Sequence, residues 1–401
     1  MAPRHRQNHA CGDPCRDDGE AILMHADSDD LVRPKSVEFA LRELLGILGA
    51  AVLCAVVWSV LLTLVIPRPS RSRLNRSVHW VVLQPFRFLA DRTSNPAIKD
   101  KILAPAAPVA ILAALLSWLL SLLVGYALLE CSVSGLDLRA GFEEAGSSLF
   151  TLGFAGDRAR GALTVVDFFA AASGMIIIGL QVGYLPALYG AYARRETEVT
   201  LLQARTGTPS WGPEILVRYA QVDLLDSIDQ LFRDWERWAA DVSESHTSYP
   251  ALVQFRSPQP ARNWLIALLA VLDAASLRLA LNPSQAQAHP RLVLRGGYVC
   301  LREIAQSRGI PYDPDPKPDG PLDLTFEQFR RGIDHMTAQG YEIERTLEEA
   351  WPHFRGWRVN YEGLAYRLAR DIEAVPAPWS GSRRSPGREM LPLTPKDRRP
   401  A

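Results

Sequence analysis

The chain has 401 residues, and its 44 lysines and arginines are matched by 44 aspartates and glutamates. Bulk charge therefore points to no partner class, and nothing in it favours nucleic acid. A mean hydropathy near zero looks like that of an ordinary soluble protein, but the average hides an uneven placement of the apolar residues.

Residues 1–43 form a polar tail with nine acids and six bases. Its His5, His9, Cys11 and Cys15 have no spacing typical of a zinc site, so the tail reads as disordered and no metal is expected. Leu44 to Ile66 is then 23 residues without a charge, Ile102 to Leu129 is 28 without one, and Leu163 to Ala193 holds only Asp167. About 20 apolar residues cross the hydrocarbon core as a helix, so these runs predict three transmembrane helices. The first run begins too late and is too long for a cleaved signal peptide.

Loop charge sets the orientation. Residues 67–101 carry Arg68, Arg71, Arg73, Arg76, Arg87, Arg92, Lys99 and Lys101 against Asp91 and Asp100. A short loop this basic stays cytoplasmic. The N-terminal tail is then outside, the second and third spans enclose an outside loop at 130–162, and everything beyond Arg194-Arg195 is cytoplasmic. The expected location is the inner cell membrane, multi-pass. Within the basic loop, Val78 to Ala90 reads as an amphipathic helix lying on the inner membrane surface.

The outside loop reads Ala140-Gly-Phe-Glu-Glu-Ala-Gly-Ser-Ser-Leu-Phe-Thr-Leu-Gly-Phe-Ala-Gly-Asp157. Its first part predicts a short helix of about three turns ending at Phe150. Thr151 to Asp157 is too glycine-rich to continue that helix. A short helix followed by an extended glycine-containing segment, between two spans, is the layout of a re-entrant loop. Non-helical backbone at membrane depth is tolerated where it is buried in protein or lines a water-filled cavity.

The segment Thr151-Leu152-Gly153-Phe154-Ala155-Gly156-Asp157 resembles the filter of the potassium-channel superfamily, T-x-G-F-G-D, with Ala155 as an extra residue. Residues 102–196 are similar to that family's pore module of outer helix, pore helix, filter and inner helix. They also resemble a bacterial group of channel-like membrane proteins carrying S-L-F-T-L-G-F and Y-L-P-A-L-Y-x-A-Y-x-R-R-E. The resemblance covers about a quarter of the chain. It implies a carbonyl-lined cation path, a homotetramer, and an inner-helix hinge glycine at Gly174 or Gly179. Gly174, Gly179, Gly183 and Pro186 either permit a bend in the third span or let helices pack closely through small residues. It implies no cofactor beyond the permeating potassium or another monovalent cation. Ala155 shifts the carbonyl register after Phe154, which places ion preference in question. Asp167, near the outer end of the third span, reads as solvated, as paired with Arg158 or Arg160, or as having a structural or ion-attracting role behind the filter.

After residue 196 the pattern is helical. Apolar residues at Ile215, Leu216, Tyr219, Val222, Leu225, Ile228, Leu231, Phe232, Trp235, Trp238 and Val242 predict an amphipathic helix. Trp264 to Leu281 is strongly apolar, but Asp273 and Arg278 would be costly at mid-bilayer, so it reads as a buried helix of a soluble domain. Further helices are expected over 292–306, 325–351 and 359–374, with a proline-rich linker at 311–321 and a disordered tail over 375–401. Glu244-Ser-His246-Thr-Ser-Tyr249 reads as a helix end. Walker, Rossmann and zincin motifs are absent from the sequence, and no enzymatic activity is expected. Cys54, Cys131 and Cys300 fall in or near different compartments and suggest no disulfide framework.

The expected fold is thus an all-α membrane protein: a transmembrane helix at 44–66, a basic loop at 67–101, a pore module at 102–196 and a helical cytoplasmic domain at 197–374. Its expected function is that of a tetrameric cation channel gated through the cytoplasmic domain, with a cytoplasmic protein or small molecule as regulator. The alternative is a non-conducting, membrane-anchored interaction or sensor protein with a degenerate pore loop.

Overall fold

A computed structural model of the chain describes residues 35–66, 73–153, 161–285, 288–384 and 389–393. The regular structure is helical, and no strand occurs among the described residues. In chain order the helices are α1 Lys35–Val60, α2 Arg73–Ala90, α3 Pro96–Leu103, α4 Ala106–Ser134, α5 Leu138–Leu149, α6 Ala162–Thr206 and α7 Gly212–Gln221. These are followed by α8 Ile228–Ser248, α9 Trp264–Leu281, α10 Ala288–Arg308, α11 Phe326–Ala338, α12 Leu347–Arg358 and α13 Glu362–Asp371. A π-helical turn, Leu61–Val65, closes α1.

Four helical stretches are long and apolar enough to cross a membrane: Ser36–Val65, Pro96–Ser134, Ala162–Thr206 and Trp264–Leu281. Their apolar windows differ sharply in surroundings, being 22, 33, 28 and 100 % buried within the protein. The first three keep wide apolar surfaces that water would not tolerate, as expected of a membrane protein. The fourth has no surface left for lipid. It is the central core helix of the bundle formed by α7 to α13. Its two charges are partnered, Asp273 by Arg358 and Arg278 by the hydroxyl of Tyr341, which is what burial of charge requires.

The apolar stretches α1, α4, α5 and α6 share one core, built on Val56, Trp118, Leu122, Tyr126, Leu149 and Ile177. Small residues bring α1 and α4 together: a Cβ on Gly49 would lie 2.7 Å from the carbonyl oxygen of Gly125. The indole of Trp118 donates to the Ser59 hydroxyl across the same contact, at 3.1 Å. Close approach through glycine, with a buried polar bond beside it, is how helices associate where lipid offers no hydrophobic drive.

Several boundaries differ from the sequence expectation. The helix expected after Pro213 is two helices. Asp223 adopts a left-handed φ of 55°, and the Leu224 N–H bonds back to the Tyr219 carbonyl. This left-handed C-terminal cap ends α7, while the apolar spacing runs on into α8. The helix expected at 325–351 is also two. Gly340 (φ 87°) closes α11, and a capping box of Thr346 with Glu349 starts α12. The helix expected at 359–374 is present but shorter, as α13, Glu362–Asp371. The expectation of a disordered tail from residue 375 fails for residues 375–384. Ala377, Trp379 and Ser380 are buried there, and Arg358 donates to the Trp379 carbonyl at 2.7 Å.

Candidate functional site

The candidate pore loop is held by α5, which lies between α4 and α6 and matches the expected short helix within two residues. Its end is tied twice to its own last turn. The Thr151 N–H donates to Ser148 O at 3.1 Å, and the Leu152 N–H donates to Ser147 O at 2.8 Å. The Ser148 hydroxyl donates to Asp167 Oδ1 on α6 at 2.8 Å. Asp167 is thereby a support behind the loop, and Tyr126 of α4 braces the same region by donating to the Phe169 carbonyl at 3.0 Å.

Thr151, Leu152 and Gly153 emerge exposed from this frame. Thr151 (φ 56°) and Gly153 (φ 74°) are left-handed, and Leu152 between them is not. A β-branched residue such as threonine is a conformational outlier there. Phe154, Ala155, Gly156 and Asp157, like Arg158 and Arg160, lie outside the described residues. His5, His9, Cys11 and Cys15 lie outside them too.

The proposed hinge residues separate into two kinds. A Cβ on Gly174 would lie 2.3 Å from the Leu149 carbonyl oxygen, so this glycine lets α6 close onto the end of α5. Gly179 and Gly183 face open space, and Pro186 is exposed within a helix that runs unbroken from Ala162 to Thr206. Gly174→Ala should therefore cost about 1–3 kcal/mol by overpacking. Gly179→Ala should be neutral or stabilising, by up to about 1 kcal/mol. Thermal unfolding of the detergent-solubilised variants checks the contrast.

Sequence reading missed two residues. Glu130 lies one turn before the end of α4, just past the apolar run, and is fully buried with neither carboxylate oxygen hydrogen-bonded. It is within electrostatic reach of Asp167 and Glu144. Among the described residues, however, no group of His, Cys, Asp and Glu is arranged to hold a metal ion.

The second is Arg195, which reads in sequence as the charged stop after a span. It is fully buried. Its guanidinium donates to the carbonyls of Leu252 (2.8 Å) and Phe255 (2.9 Å), and to Glu196 and His246 Nε2 (3.1 Å). Trp238 donates to the Arg195 carbonyl at 3.0 Å. These bonds rivet α6 to α8 and to the turn after it, so α6 and the helical domain form one joint. Because an arginine N–H only donates, His246 Nε2 must be unprotonated and the ring neutral.

Burial first, and the Arg195 charge second, hold the His246 pKa well below its ordinary value. The unfolded chain then binds a proton near pH 6.5 that the folded one refuses. Stability from this site is present above pH 6.5 and lost as pH falls below it, by about 1.4 kcal/mol per unit. His79, whose pKa is also lowered, adds a loss of the same sign. Denaturation at pH 7 and pH 5.5 should show a smaller acid loss in His246→Gln than in the parent.

No protein-family profile, curated protein or solved structure matches the chain.

Proposed function

We propose that the chain is one subunit of a tetrameric cation channel, with potassium the permeating ion. In this reading α1, α4 and α6 cross the inner membrane, the N-terminal tail lies outside, and α7 to α13 form the cytoplasmic domain. Thr151 to Asp157 form the filter of a re-entrant loop, one quarter of the path per subunit.

The observation that carries the reading is the left-handed backbone at Thr151 and again at Gly153, directly after a short helix packed between two apolar helices. Backbone strain at a β-branched residue persists where surrounding structure imposes it, and such sites cluster at function. The length of α6 supports coupling to the domain. Its 45 residues make about 68 Å of helix, against a hydrocarbon core of about 30 Å. The helix that follows the filter thus enters the cytoplasmic domain, where Arg195 fixes it, and domain rotation would reach the pore without a hinge at the joint.

The test is ion flux from liposomes holding the purified chain under a potassium gradient, with sodium substituted in parallel and oligomeric mass read by native mass spectrometry. Potassium flux from a tetramer is the expected result. A monomer, or a silent tetramer, would overturn conduction and leave the membrane-anchored sensor as the working reading.

A further inference from the structure

We propose that the cavity between the end of α1, the middle of α6 and the end of α8 binds an amphiphile with an ammonium head group. The site does not depend on whether the loop conducts. The cavity measures about 470 Å³, within the span of small-molecule sites, about 300–1,000 Å³.

Its walls are of two kinds. Leu64, Val65 and Ile66, at and just past the π-helical turn, form an apolar wall with Ala187 and Ala191 of α6. The two alanines, one helical turn apart, leave space that larger residues would fill. Single π-helical turns recur at functional sites, and this one places α1 side chains on the cavity. The opposite wall is polar and belongs to the joint with the domain: Arg194, Asp241, Glu244, Ser245, Ser248 and Tyr249.

Charge on the polar wall selects the ligand. Arg194 is committed to Asp241, through Nε at 3.3 Å and Nη2 at 3.1 Å. Glu244 is exposed and makes no ion pair among the described residues. Among the described residues the lining therefore carries one uncompensated negative charge and the hydroxyls of Thr63, Ser245, Ser248 and Tyr249, which suit an ammonium group and repel a bare phosphate. An alkyl chain on the apolar wall with an ammonium on Glu244 satisfies both halves. An aminophospholipid of the inner leaflet and a free long-chain amine share that chemistry.

The experiment uses the full chain, delipidated in detergent, with dodecylamine, lysophosphatidylethanolamine and lysophosphatidylglycerol as probes, and binding read by native mass spectrometry. At least one of the two amines should bind in preference to the glycerol lipid. Binding of lysophosphatidylethanolamine alone assigns the site to membrane lipid, and of dodecylamine alone to a free amine. Glu244→Gln, at an exposed position that folding does not depend on, should weaken binding about tenfold by removing one charge-assisted contact. Ala187→Trp should abolish it by filling the cavity. Equal retention of the glycerol lipid, or amine binding unchanged in Glu244→Gln, would overturn the proposal.

Discussion

Potassium flux from liposomes should fall to background on Gly153→Asp and at least tenfold on Gly153→Ala, with the oligomer intact in both. Gly153 sits at φ +74°, and a Cβ there would meet nothing within 4 Å. The subunit therefore has room for the substitution, and its packing should survive. What changes is the backbone: a residue with a Cβ gives up about 1–2 kcal/mol in the left-handed region, once per subunit. In the proposed channel, rotation out of that region would turn the adjoining carbonyl away from the axis, where it would replace water around the ion. In the proposed tetramer aspartate would add a ring of carboxylates that bind a cation too tightly to release it. Unchanged flux in Gly153→Asp would show that ions do not pass this loop.

Much of the membrane part was legible because lipid enforces a simple rule. Uncharged runs of 23 and 28 residues have few alternatives to a span, and the apolar helical stretches Ser36–Val65, Pro96–Ser134 and Ala162–Thr206 cover the three runs to within one residue. The short α5 was legible because the glycine-rich stretch beyond Phe150 cannot prolong a helix, although the left-handed residue that closes it is Thr151. The end of α6 was not. Arg194-Arg195 reads as a stop, yet Arg195 is enclosed by carbonyls supplied from residues 252 and 255, which no local pattern links to it. Glu130 escaped for a similar reason, since it adjoins the apolar run and its burial depends on α5 packing against α4. In the domain, the break at Asp223 was hidden because Val222 and Leu225 continue the helical spacing across it. The capping box at Thr346 and the glycine at 340 were visible signals for the break between α11 and α12. Periodicity outweighed them. The packing of Trp379 was hidden in a Pro/Ser/Arg-rich stretch, because its pocket is built from Gly332, Phe354 and Trp211 far along the chain.

Arg358→Met should destabilise the helical domain by about 3–5 kcal/mol at pH 8, out of the roughly 5–15 kcal/mol that holds a domain together. Arg358 is fully buried and bonds Asp273 of α9 and Glu362 of α13. It also donates to the Tyr366 hydroxyl at 2.9 Å and the Trp379 carbonyl at 2.7 Å. Tyr361 donates to Asp273 at 2.7 Å, so among the described residues the carboxylate has a second donor but no second cation. Burial pushes Asp273 up to about 6 even though Arg358 opposes the shift. Its folded pKa exceeds the unfolded value near 3.8, so its contribution to stability falls as pH rises through that window and is level above about 6. Without Arg358 the folded value rises further, and the loss continues past pH 6. The deficit of Arg358→Met relative to the parent should therefore widen between pH 6 and pH 8, as read by chemical denaturation of the full chain followed through tryptophan fluorescence. Combining it with Asp273→Leu and Glu362→Gln should recover most of the loss and remove the extra pH dependence. A deficit below about 1 kcal/mol at pH 8 would mean that water reaches this cluster, which its complete burial denies.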